Sequence, residues 1–225
     1  MAAARTLGRL CPSSTALLVC DIQERFRPLI CGFPAVADAA RRMVKGAQAL
    51  QIPVLATEQY PAKLGATVGE VGLPEGAPVV AKTRFSMMVP EVRQWLASAG
   101  AASGRPALGG GANGGGDGIR SVMIVGIEAH VCVLQTALDL LAEGVEVHLI
   151  TDGVSSQRAP DRAAGLARAA QSGAFLTTSE SALFELCGDA AHPAFKAISA
   201  VAREPRVEPG VEQAAATAML VAAKL

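Results

Sequence analysis

The sequence has no excess of charge of either sign and no long apolar run. Lys plus Arg and Asp plus Glu both number 20 among 225 residues, so the formal net charge is zero. Without a basic stripe that could bind phosphate backbones, we expect no nucleic-acid partner. The longest apolar runs, such as residues 15–20, are far shorter than the roughly 20 residues that span a membrane. We therefore expect no membrane partner and a soluble protein.

The cysteines lack the spacing of a disulfide or zinc framework. They are odd in number, scattered and never in a CxxC pair: Cys11, Cys20, Cys31, Cys132 and Cys187. Disulfide-rich secreted domains and structural zinc sites both use paired cysteines at short spacing. The set therefore predicts a protein of a reducing compartment.

The usual nucleotide-binding signatures are also missing. A glycine-rich stretch lies at residues 104–118, but it contains no GxxxxGK[ST] motif, and no strand leads directly into a GxGxxG motif. Glycines at this density are not expected to form a packed element, and the polarity of the stretch favours contact with water. The stretch is predicted to be a disordered surface insertion, with a phosphate-cradling loop as the alternative.

Apolar, β-branched runs alternate with helical patterns along the chain. Strands are predicted at residues 15–23, 52–59, 77–83, 119–127, 145–154 and 174–179. Helices are predicted at residues 35–51, 89–100, from about 130 onward, 161–173 and 180–188. This alternation is typical of a parallel sheet with helices on both faces. The predicted fold class is therefore α/β, a three-layer sandwich around a mostly parallel six-stranded sheet.

The length favours one domain, since 225 residues are rather few for two independent cores. The domain is predicted at 13–203, after a flexible N-terminus (1–12) and before a C-terminal tail (204–225). The last residues, Ala223-Lys224-Leu225, are close to the Ser-Lys-Leu peroxisomal address, with a chance match in an alanine-rich tail as the alternative. The N-terminus lacks a secretory apolar segment and has only the arginines of a weak transit peptide. The predicted location is cytoplasmic or peroxisomal, with mitochondrial import the weaker alternative.

Three residues of reactive type fall at predicted strand ends. Asp21 follows the run ALLVC, Lys82 follows PVVA, and Cys132 opens the helix after the fourth strand. In an open parallel sheet, ligands bind at the carboxyl ends of the strands, where the strand order reverses. These three side chains are therefore candidates for a common site.

Each of these residues has a specific task if the three meet. A thiol is a useful nucleophile only as thiolate, so its pKa, about 8.5 when free, must be lowered by a cation, a helix N-terminus or a base. Lys82 would be the cation, and the helix starting near residue 130 would add its dipole. Asp21 would take the thiol proton and later give it to a leaving amine. Backbone amides of the turn before Cys132 would bind the oxyanion.

Structural roles explain the same residues. Cysteine is among the most buried residue types, an Asp at a strand end commonly caps a loop, and a Lys there is commonly solvated. His130 lies two positions before Cys132, a spacing at which helical side chains do not face each other. The spacing alone leaves the structural and the catalytic interpretations open.

Several motifs in order along the chain resemble the isochorismatase-like family of cysteine hydrolases. They cover about residues 13–200 and read LLVCDIQERF, TEQYPAKLG, AKTRFSM, GIEAHVCVLQTALDLLAEGVEVHLITDGVSS and GAFLTTSE. Within the family they look most similar to the eukaryotic isochorismatase domain-containing proteins. The resemblance implies a Rossmann-like sheet and a catalytic triad of Asp21, Lys82 and Cys132.

The resemblance also implies the surroundings of the triad. A cis peptide is expected at Ile127-Glu128, which would aim the backbone amides of Glu128 and Cys132 at the oxyanion. The substrate pocket is expected to be lined by Gln23, Glu58, Gln59 and Tyr60, with a strand-end hydrogen bonder as the alternative for Gln23. A homo-oligomer is expected, because members of the family commonly assemble.

Departures from related families narrow the implied activity. Nicotinamidases of this family hold a metal with an Asp and histidines after the second strand, but the histidines of this chain are elsewhere: His130, His148 and His192. True isochorismatases cleave a vinyl ether and need not keep the cysteine. The resemblance therefore implies hydrolysis of a small amide or related C–N bond through a thioester, with neither metal nor organic cofactor. The alternative is a non-catalytic or weakly catalytic protein of the same fold that acts as a binding or scaffold partner.

Overall fold

The computed structural model describes residues 7–102 and 118–208. The predicted insertion at 104–118, except Gly118, lies outside the described residues. So do the first six residues and the tail from residue 209 on, which includes the tripeptide Ala223-Lys224-Leu225. The peroxisomal address therefore stays a prediction.

Six strands form one parallel sheet in the order β3-β2-β1-β4-β5-β6. Their bounds are β1 Thr15–Cys20, β2 Val54–Gln59, β3 Val79–Lys82, β4 Ser121–Ile127, β5 Glu146–Ser155 and β6 Phe175–Thr177. The chain moves outward from β1 to β3 and then returns to β4 on the other side of β1. The predicted α/β class is confirmed, and the reversal of strand order lies between β1 and β4.

The described part of the chain contains seven α-helices, and all of them except the short helix Pro61–Leu64 contribute to the cores on the two faces of the sheet. They are α1 Phe33–Ala49, α2 Pro61–Leu64, α3 Pro90–Ala102, α4 Leu134–Ala142, α5 Ala159–Gln171, α6 Ser179–Cys187 and α7 Phe195–Arg203. The core on one face is built with α1, α6 and α7, and the core on the other with α3, α4 and α5. None of the helices described is long and apolar enough to cross a bilayer.

The central strand β1 supplies both cores. From Ala16 to Cys20 its residues are fully buried. Leu17 and Val19 pack on the α1 face, whereas Ala16, Leu18 and Cys20 pack on the α4 face, as the two-residue period of a strand requires. The strand ends at Cys20, three residues earlier than predicted, because Asp21 has a left-handed backbone conformation (φ 54°).

The segments next to the predicted domain limits also pack on the domain. Leu10 is buried, and its amide donates a hydrogen bond to Glu185 Oε1 at 3.2 Å. At the other end, the guanidinium of Arg42 donates to the carbonyls of Glu204 and Pro205 at 2.9 and 2.7 Å. The ordered contacts therefore reach beyond residues 13–203 on both sides.

The imidazole of His148 on β5 is a buried titratable group. It stacks on the Phe175 ring with 5.1 Å between centroids, and its Nε2 has no hydrogen-bond partner among the described residues. Burial lowers the pKa of His148 below its ordinary 6.5, although Glu146 and Glu185 act in the opposite direction. The folded protein therefore favours the neutral ring.

Acid should destabilise the fold through His148. Because its pKa is lower in the folded chain, the unfolded chain binds the proton more readily, and stability present above about pH 6.5 is lost as pH falls below that value. We expect His148→Phe to reduce the drop in melting temperature between about pH 7 and 5.5. His192→Gln, at a partly exposed position, serves as control and should keep the wild-type drop. If the melting temperature of His148→Phe fell as much as that of the wild type, His148 would not be the source of the acid sensitivity.

Candidate functional site

The predicted triad residues all lie at the carboxyl edge of the sheet. Asp21 directly follows β1, Lys82 ends β3, and Cys132 lies in the turn after β4. Lys82 reaches across the end of β2, where its strand neighbour is Gln59, and its Nζ is 2.7 Å from Asp21 Oδ2. The side chains of Lys82 and Asp21 are 0% and 1% exposed. The structure therefore brings two of the three predicted residues into a buried ion pair.

The ammonium of Lys82 has a complete set of acceptors. Besides Asp21, it donates to Gln59 Oε1 at 2.7 Å and to the carbonyl oxygens of Phe85 and Arg84 at 3.0 and 3.2 Å. Burial alone would lower the pKa of Lys82, but the attraction of Cys20, Asp21 and Cys132 outweighs it and raises the pKa above 10.5. Lys82 is therefore a fixed positive charge at neutral pH.

The carboxylate of Asp21 is held from two sides. Its Oδ1 accepts a hydrogen bond from Thr57 Oγ1 at 2.8 Å, and its Oδ2 accepts from Lys82. The backbone amide of Asp21 donates to the Thr57 carbonyl at 3.1 Å. These contacts fix the orientation of the carboxylate at the end of β1.

Backbone strain is concentrated at this edge of the sheet. Asp21, Tyr60 and Glu128 follow β1, β2 and β4, and each has a left-handed conformation, with φ of 54°, 39° and 57°. Such a conformation costs a non-glycine residue on the order of 1–3 kcal/mol and persists only where surrounding contacts enforce it. Residues of this kind are common at ligand and active sites.

Cys132 lies in a π-helical turn, Ala129–Val133, and α4 begins only at Leu134. The prediction that Cys132 is in the first turn of an α-helix is therefore corrected. The implied cis peptide at Ile127-Glu128 is also wrong, because all peptide bonds in residues 7–102 and 118–208 are trans. The left-handed Glu128 makes the reversal, and its carbonyl accepts the amides of Val131 and Val133 at 2.9 and 3.3 Å. Single π-helical turns are frequent at functional sites.

Two glycines allow close backbone contacts around this turn. A Cβ added at Gly165 of α5 would lie 2.6 Å from the Ala129 carbonyl oxygen, so the absent side chain lets α5 contact the backbone of the turn. A Cβ at Gly126, near the end of β4, would lie 2.3 Å from the Cys20 carbonyl oxygen. Both glycines therefore allow the turn that carries Cys132 to lie tightly against its neighbours.

A second thiol belongs to the site. Cys20 Sγ is 3.7 Å from Asp21 Oδ2, to which it donates, and the Cys20 side chain also interacts with Cys132. No hydrogen bond joins Cys132 Sγ to Asp21 or Lys82 in the described ranges. Sequence reasoning did not single out Cys20. The available signal was its position as the last β1 residue, on the face of the sheet that leads to Cys132.

The four residues expected to line the pocket mostly bind protein groups. The Gln23 side chain donates to the carbonyls of Gln59 and Gly65 and accepts from the Gln59 amide, at 2.7 to 3.0 Å. Glu58 Oε1 accepts from the amide and the hydroxyl of Thr67. Tyr60 is 46% exposed. Gln23, Glu58 and Gln59 thus hold the loop between β2 and β3 on the site, whereas Tyr60 is open to a ligand.

A polar cluster lies beside Cys132. Glu128 Oε1 accepts from Gln157 Nε2 at 2.7 Å, and Glu128 Oε2 is buried without a hydrogen-bond partner among the described residues. His130 Nδ1 is 3.1 Å from Ser156 Oγ and 3.5 Å from Glu128 Oε2. The imidazole of His130 is thus engaged with Ser156 and Glu128.

A separate cavity lies elsewhere in the fold. A cavity of about 560 Å³ lies between α1, the start of α6 and residues 206–208, away from Cys132. Among residues 7–102 and 118–208, no three His, Cys, Asp or Glu side chains are grouped to hold a metal ion. The reactive groups are concentrated at the edge of β1, β3 and β4.

Solved structures of similar fold extend across most of the chain. The structure of MAR1 ribonuclease from Caenorhabditis elegans superposes with a TM-score of 0.79 at 38% identity, covering 90% of this chain and 96% of that one. The YcaC gene product of Escherichia coli, described as an octameric hydrolase of unknown specificity, superposes with a TM-score of 0.71 at 20% identity, covering 88% and 91%. The second likeness shows the fold alone.

Sequence comparison gives the family. Isochorismatase domain-containing protein 2 of Homo sapiens is 48% identical over 212 residues, which is 94% of each chain. Isochorismatase domain-containing protein 1 of Danio rerio is 41% identical over 206 residues, covering 92% of this chain and 67% of that protein. The model of the isochorismatase domain matches residues 15–181, from β1 into α6. The resemblance in the motifs is thereby confirmed, and the chain belongs to the isochorismatase family.

Proposed function

We propose that this protein is a metal-independent cysteine hydrolase that cleaves a small amide or related C–N bond. The buried Lys82–Asp21 ion pair carries the proposal, with 2.7 Å between Nζ and Oδ2 and almost no exposure of either side chain. Burying two charges costs several kcal/mol per ion before their attraction is counted, so such a pair is weak support for stability alone. Buried titratable groups at the edge of a parallel sheet are typical of catalytic sites.

The first half-reaction forms a thioester. Asp21 takes the proton of the Cys132 thiol, and the thiolate adds to the carbonyl carbon of the substrate. The amides of Glu128 and Cys132 stabilise the oxyanion. The C–N bond then breaks as Asp21 returns the proton to the leaving nitrogen. Since the free protein has no hydrogen bond from Cys132 to Asp21, bound substrate must bring the thiol and the carboxylate together, as catalytic contacts often tighten on binding.

The second half-reaction regenerates the thiol. Asp21 deprotonates a water molecule, the hydroxide attacks the thioester carbon, and the proton returns to the Cys132 sulfur as the acid leaves. Lys82 keeps Asp21 oriented through its bond to Oδ2, and its fixed positive charge lies at the same edge of the sheet as Cys132. Asp21 therefore moves every proton of the cycle, and Lys82 moves none.

A substrate panel with covalent trapping tests this proposal. Purified protein is incubated with small amides, ureides and nitriles, and release of ammonia or amine is measured together with intact mass after rapid acid quenching. We expect turnover of at least one amide class and an acyl adduct on Cys132. Iodoacetamide near neutral pH should label Cys132 faster than Cys20 and Cys187, although all three are buried, because the proposed cycle requires Cys132 to react as thiolate. Equal slow labelling of all cysteines and no turnover would contradict the proposal.

The alternative functions have separate outcomes in the same experiment. An RNA oligonucleotide is included because the Caenorhabditis elegans neighbour is called a ribonuclease. We expect no RNA cleavage, since the net charge of zero gives no general attraction for phosphate. Stoichiometric capture of a protein partner without any thiol-dependent turnover would favour the binding or scaffold function.

We also propose a homo-oligomer in solution. The Escherichia coli neighbour of the same fold is described as octameric. On this chain, Val79 on the edge strand β3 and Phe85 just after it are 46% and 53% exposed, an apolar surface suited to a second copy. Light scattering should give a multiple of 22.9 kDa. A monomer at micromolar concentration would contradict this proposal.

The contact of α5 with the π-helical turn predicts the effect of Gly165→Ala. The added Cβ would lie 2.6 Å from the Ala129 carbonyl oxygen and 2.7 Å from His130 Cα, so the turn must shift. We expect kcat/KM to fall about 10²-fold, because misplacement of a reacting group by about 1 Å has an effect of this size. Gly69→Ala is the control, because a Cβ there meets nothing within 4 Å. Wild-type kcat/KM in Gly165→Ala would show that the turn tolerates displacement.

A further inference from the structure

The proposed cycle leaves the second thiol of the site, Cys20, without a role. Cys20 is fully buried and donates to the same carboxylate oxygen of Asp21 that Lys82 binds. Its side chain packs in the same apolar cluster as Cys132, which is near enough to act on it electrostatically. We propose that Cys20 is a resolving thiol, which forms a reversible disulfide with Cys132 after a hydroperoxide has oxidised Cys132. This inference rests on the proposed function in one respect, the reactivity of Cys132.

The sheet explains why Cys20 and Cys132 lie in the same apolar cluster. Cys20 ends β1, and its neighbour in the register of β4 is Gly126. Since Gly126 has no side chain, β4 approaches Cys20 so closely that an added Cβ would lie 2.5 Å from Cys20 Cβ. The chain then reverses at Glu128 and carries Cys132 into the same cluster. Cys20, from the end of β1, and Cys132, from the turn after the neighbouring strand β4, therefore lie in one apolar cluster on the same face of the sheet.

The environments of the two thiols assign their order of reaction. Burial and the neighbouring Cys132 and Asp21 side chains raise the pKa of Cys20 well above 9.0, so Cys20 stays protonated and unreactive towards peroxide. Cys132 is the thiol that the proposed cycle requires as thiolate. Cys132 is therefore oxidised first, and Cys20 acts second, when Asp21 accepts its proton over the 3.7 Å contact.

The oxidation balances with a hydroperoxide as the oxidant. The Cys132 thiolate attacks the peroxide O–O bond, which gives a sulfenic acid, and the departing oxygen leaves as water or alcohol after protonation. Cys20 sulfur then attacks the sulfenic sulfur, the S–OH bond breaks, and water leaves with the proton that Asp21 accepted. Two thiols supply the two electrons that reduce one peroxide. A dithiol reductant reverses the disulfide by thiol exchange.

The remaining cysteines provide internal controls. Cys187 is on α6, on the opposite face of the sheet, and donates to the Asp189 carbonyl. Cys31 is partly exposed, and its backbone binds Ser155 and Ser156 near the site. Cys31→Ser therefore tests the nearest competing thiol, and Cys187→Ser tests a distant one.

The test uses mass rather than turnover as its main readout. The full-length protein is treated with one to ten equivalents of hydrogen peroxide, alkylated, and digested without reduction. We expect a linked peptide pair containing Cys20 and Cys132, a loss of about 2 Da that dithiothreitol reverses, and the same result in Cys31→Ser and Cys187→Ser. In Cys20→Ser we expect Cys132 to proceed to sulfinic acid, about 32 Da heavier and resistant to dithiothreitol.

The outcomes separate this inference from the proposed function. If amide turnover is found but peroxide gives only sulfinic Cys132 in the wild-type protein, the resolving role is wrong and the hydrolase stands. A disulfide between Cys31 and Cys132 would also overturn the resolving role of Cys20. A Cys20–Cys132 disulfide without turnover on any substrate would support the resolving role and leave the hydrolase without support. Activity after peroxide, compared with each protein's untreated sample, should recover with dithiothreitol in wild type but not in Cys20→Ser.

Discussion

Replacement of Cys132 by alanine should abolish amide turnover and leave the fold intact. Loss of the nucleophile removes the covalent route, so we expect kcat/KM to fall by about 10⁴-fold or more. The side chain is small and 6% exposed, and loss of its sulfur should lower the free energy of unfolding by about 1 kcal/mol. Steady-state kinetics and urea unfolding measure the two effects separately.

A matched cysteine controls for simple loss of packing. Cys187 is 4% exposed and lies in the core on the α1 face, away from the turn that carries Cys132. Cys187→Ala should therefore have a similar small effect on unfolding and no effect on kcat/KM. If Cys132→Ala kept activity within about tenfold of wild type, Cys132 would be a structural thiol and the proposed cycle would be wrong.

Replacement of Lys82 by methionine should remove both activity and much of the stability. The variant leaves the Asp21 carboxylate 1% exposed without its cation, and breaking a buried pair by removing one partner typically costs about 3–5 kcal/mol. The carboxylate also loses the contact that orients it for proton transfer. We expect a large fall in the urea midpoint and no measurable turnover. Lys196→Met, at an exposed lysine on α7, is the control and should behave as wild type.

A double substitution separates the catalytic from the structural role of this pair. In Asp21→Asn/Lys82→Met neither buried charge remains, and replacement of both partners of a buried pair is often neutral for stability. We therefore expect the urea midpoint to recover towards wild type while turnover remains absent. Recovery of turnover along with stability would mean that the pair only supports the fold.

The rule that ligands bind at the carboxyl ends of parallel strands predicted much of this site. Asp21, Lys82 and Cys132 end or follow runs whose β-branched and apolar content identifies strands, and parallel strands bring such residues to one edge. The alternation of strands and helices likewise predicted the α/β class. These features depend on local periodicity, which the sequence carries directly.

The rule could not predict the contacts among these residues. It placed Asp21 as the base of Cys132, whereas the free structure has the thiol of Cys20 on Asp21 Oδ2. For Gln23 the sequence left two roles open, at the substrate or as a hydrogen bonder at the strand end, and only the structure shows that its amide binds the carbonyls of Gln59 and Gly65. Side-chain partners depend on distances between segments far apart in the chain, and the periodicity of a single segment contains no such information.

The turn before Cys132 shows the same limit in the backbone. Its sequence, with one glycine followed by IEAHVC, indicated only a sharp reversal after β4. The structure makes this reversal with a left-handed Glu128 and a π-helical turn and keeps the peptide bonds trans. This backbone conformation depends on packing against α5, where Gly165 lets the backbone of the turn approach the helix.

The sequence by itself determined the α/β class, the family and the placement of Asp21, Lys82 and Cys132 at strand ends, because these follow from local patterns and ordered motifs. The tertiary structure alone decided the strand order, the buried Lys82–Asp21 pair and the contact of the Cys20 thiol with Asp21. The physical reason is that burial and charge pairing arise only when β1, β3 and β4 share one edge. Desolvation and proximity there change the chemistry of side chains that are ordinary in isolation.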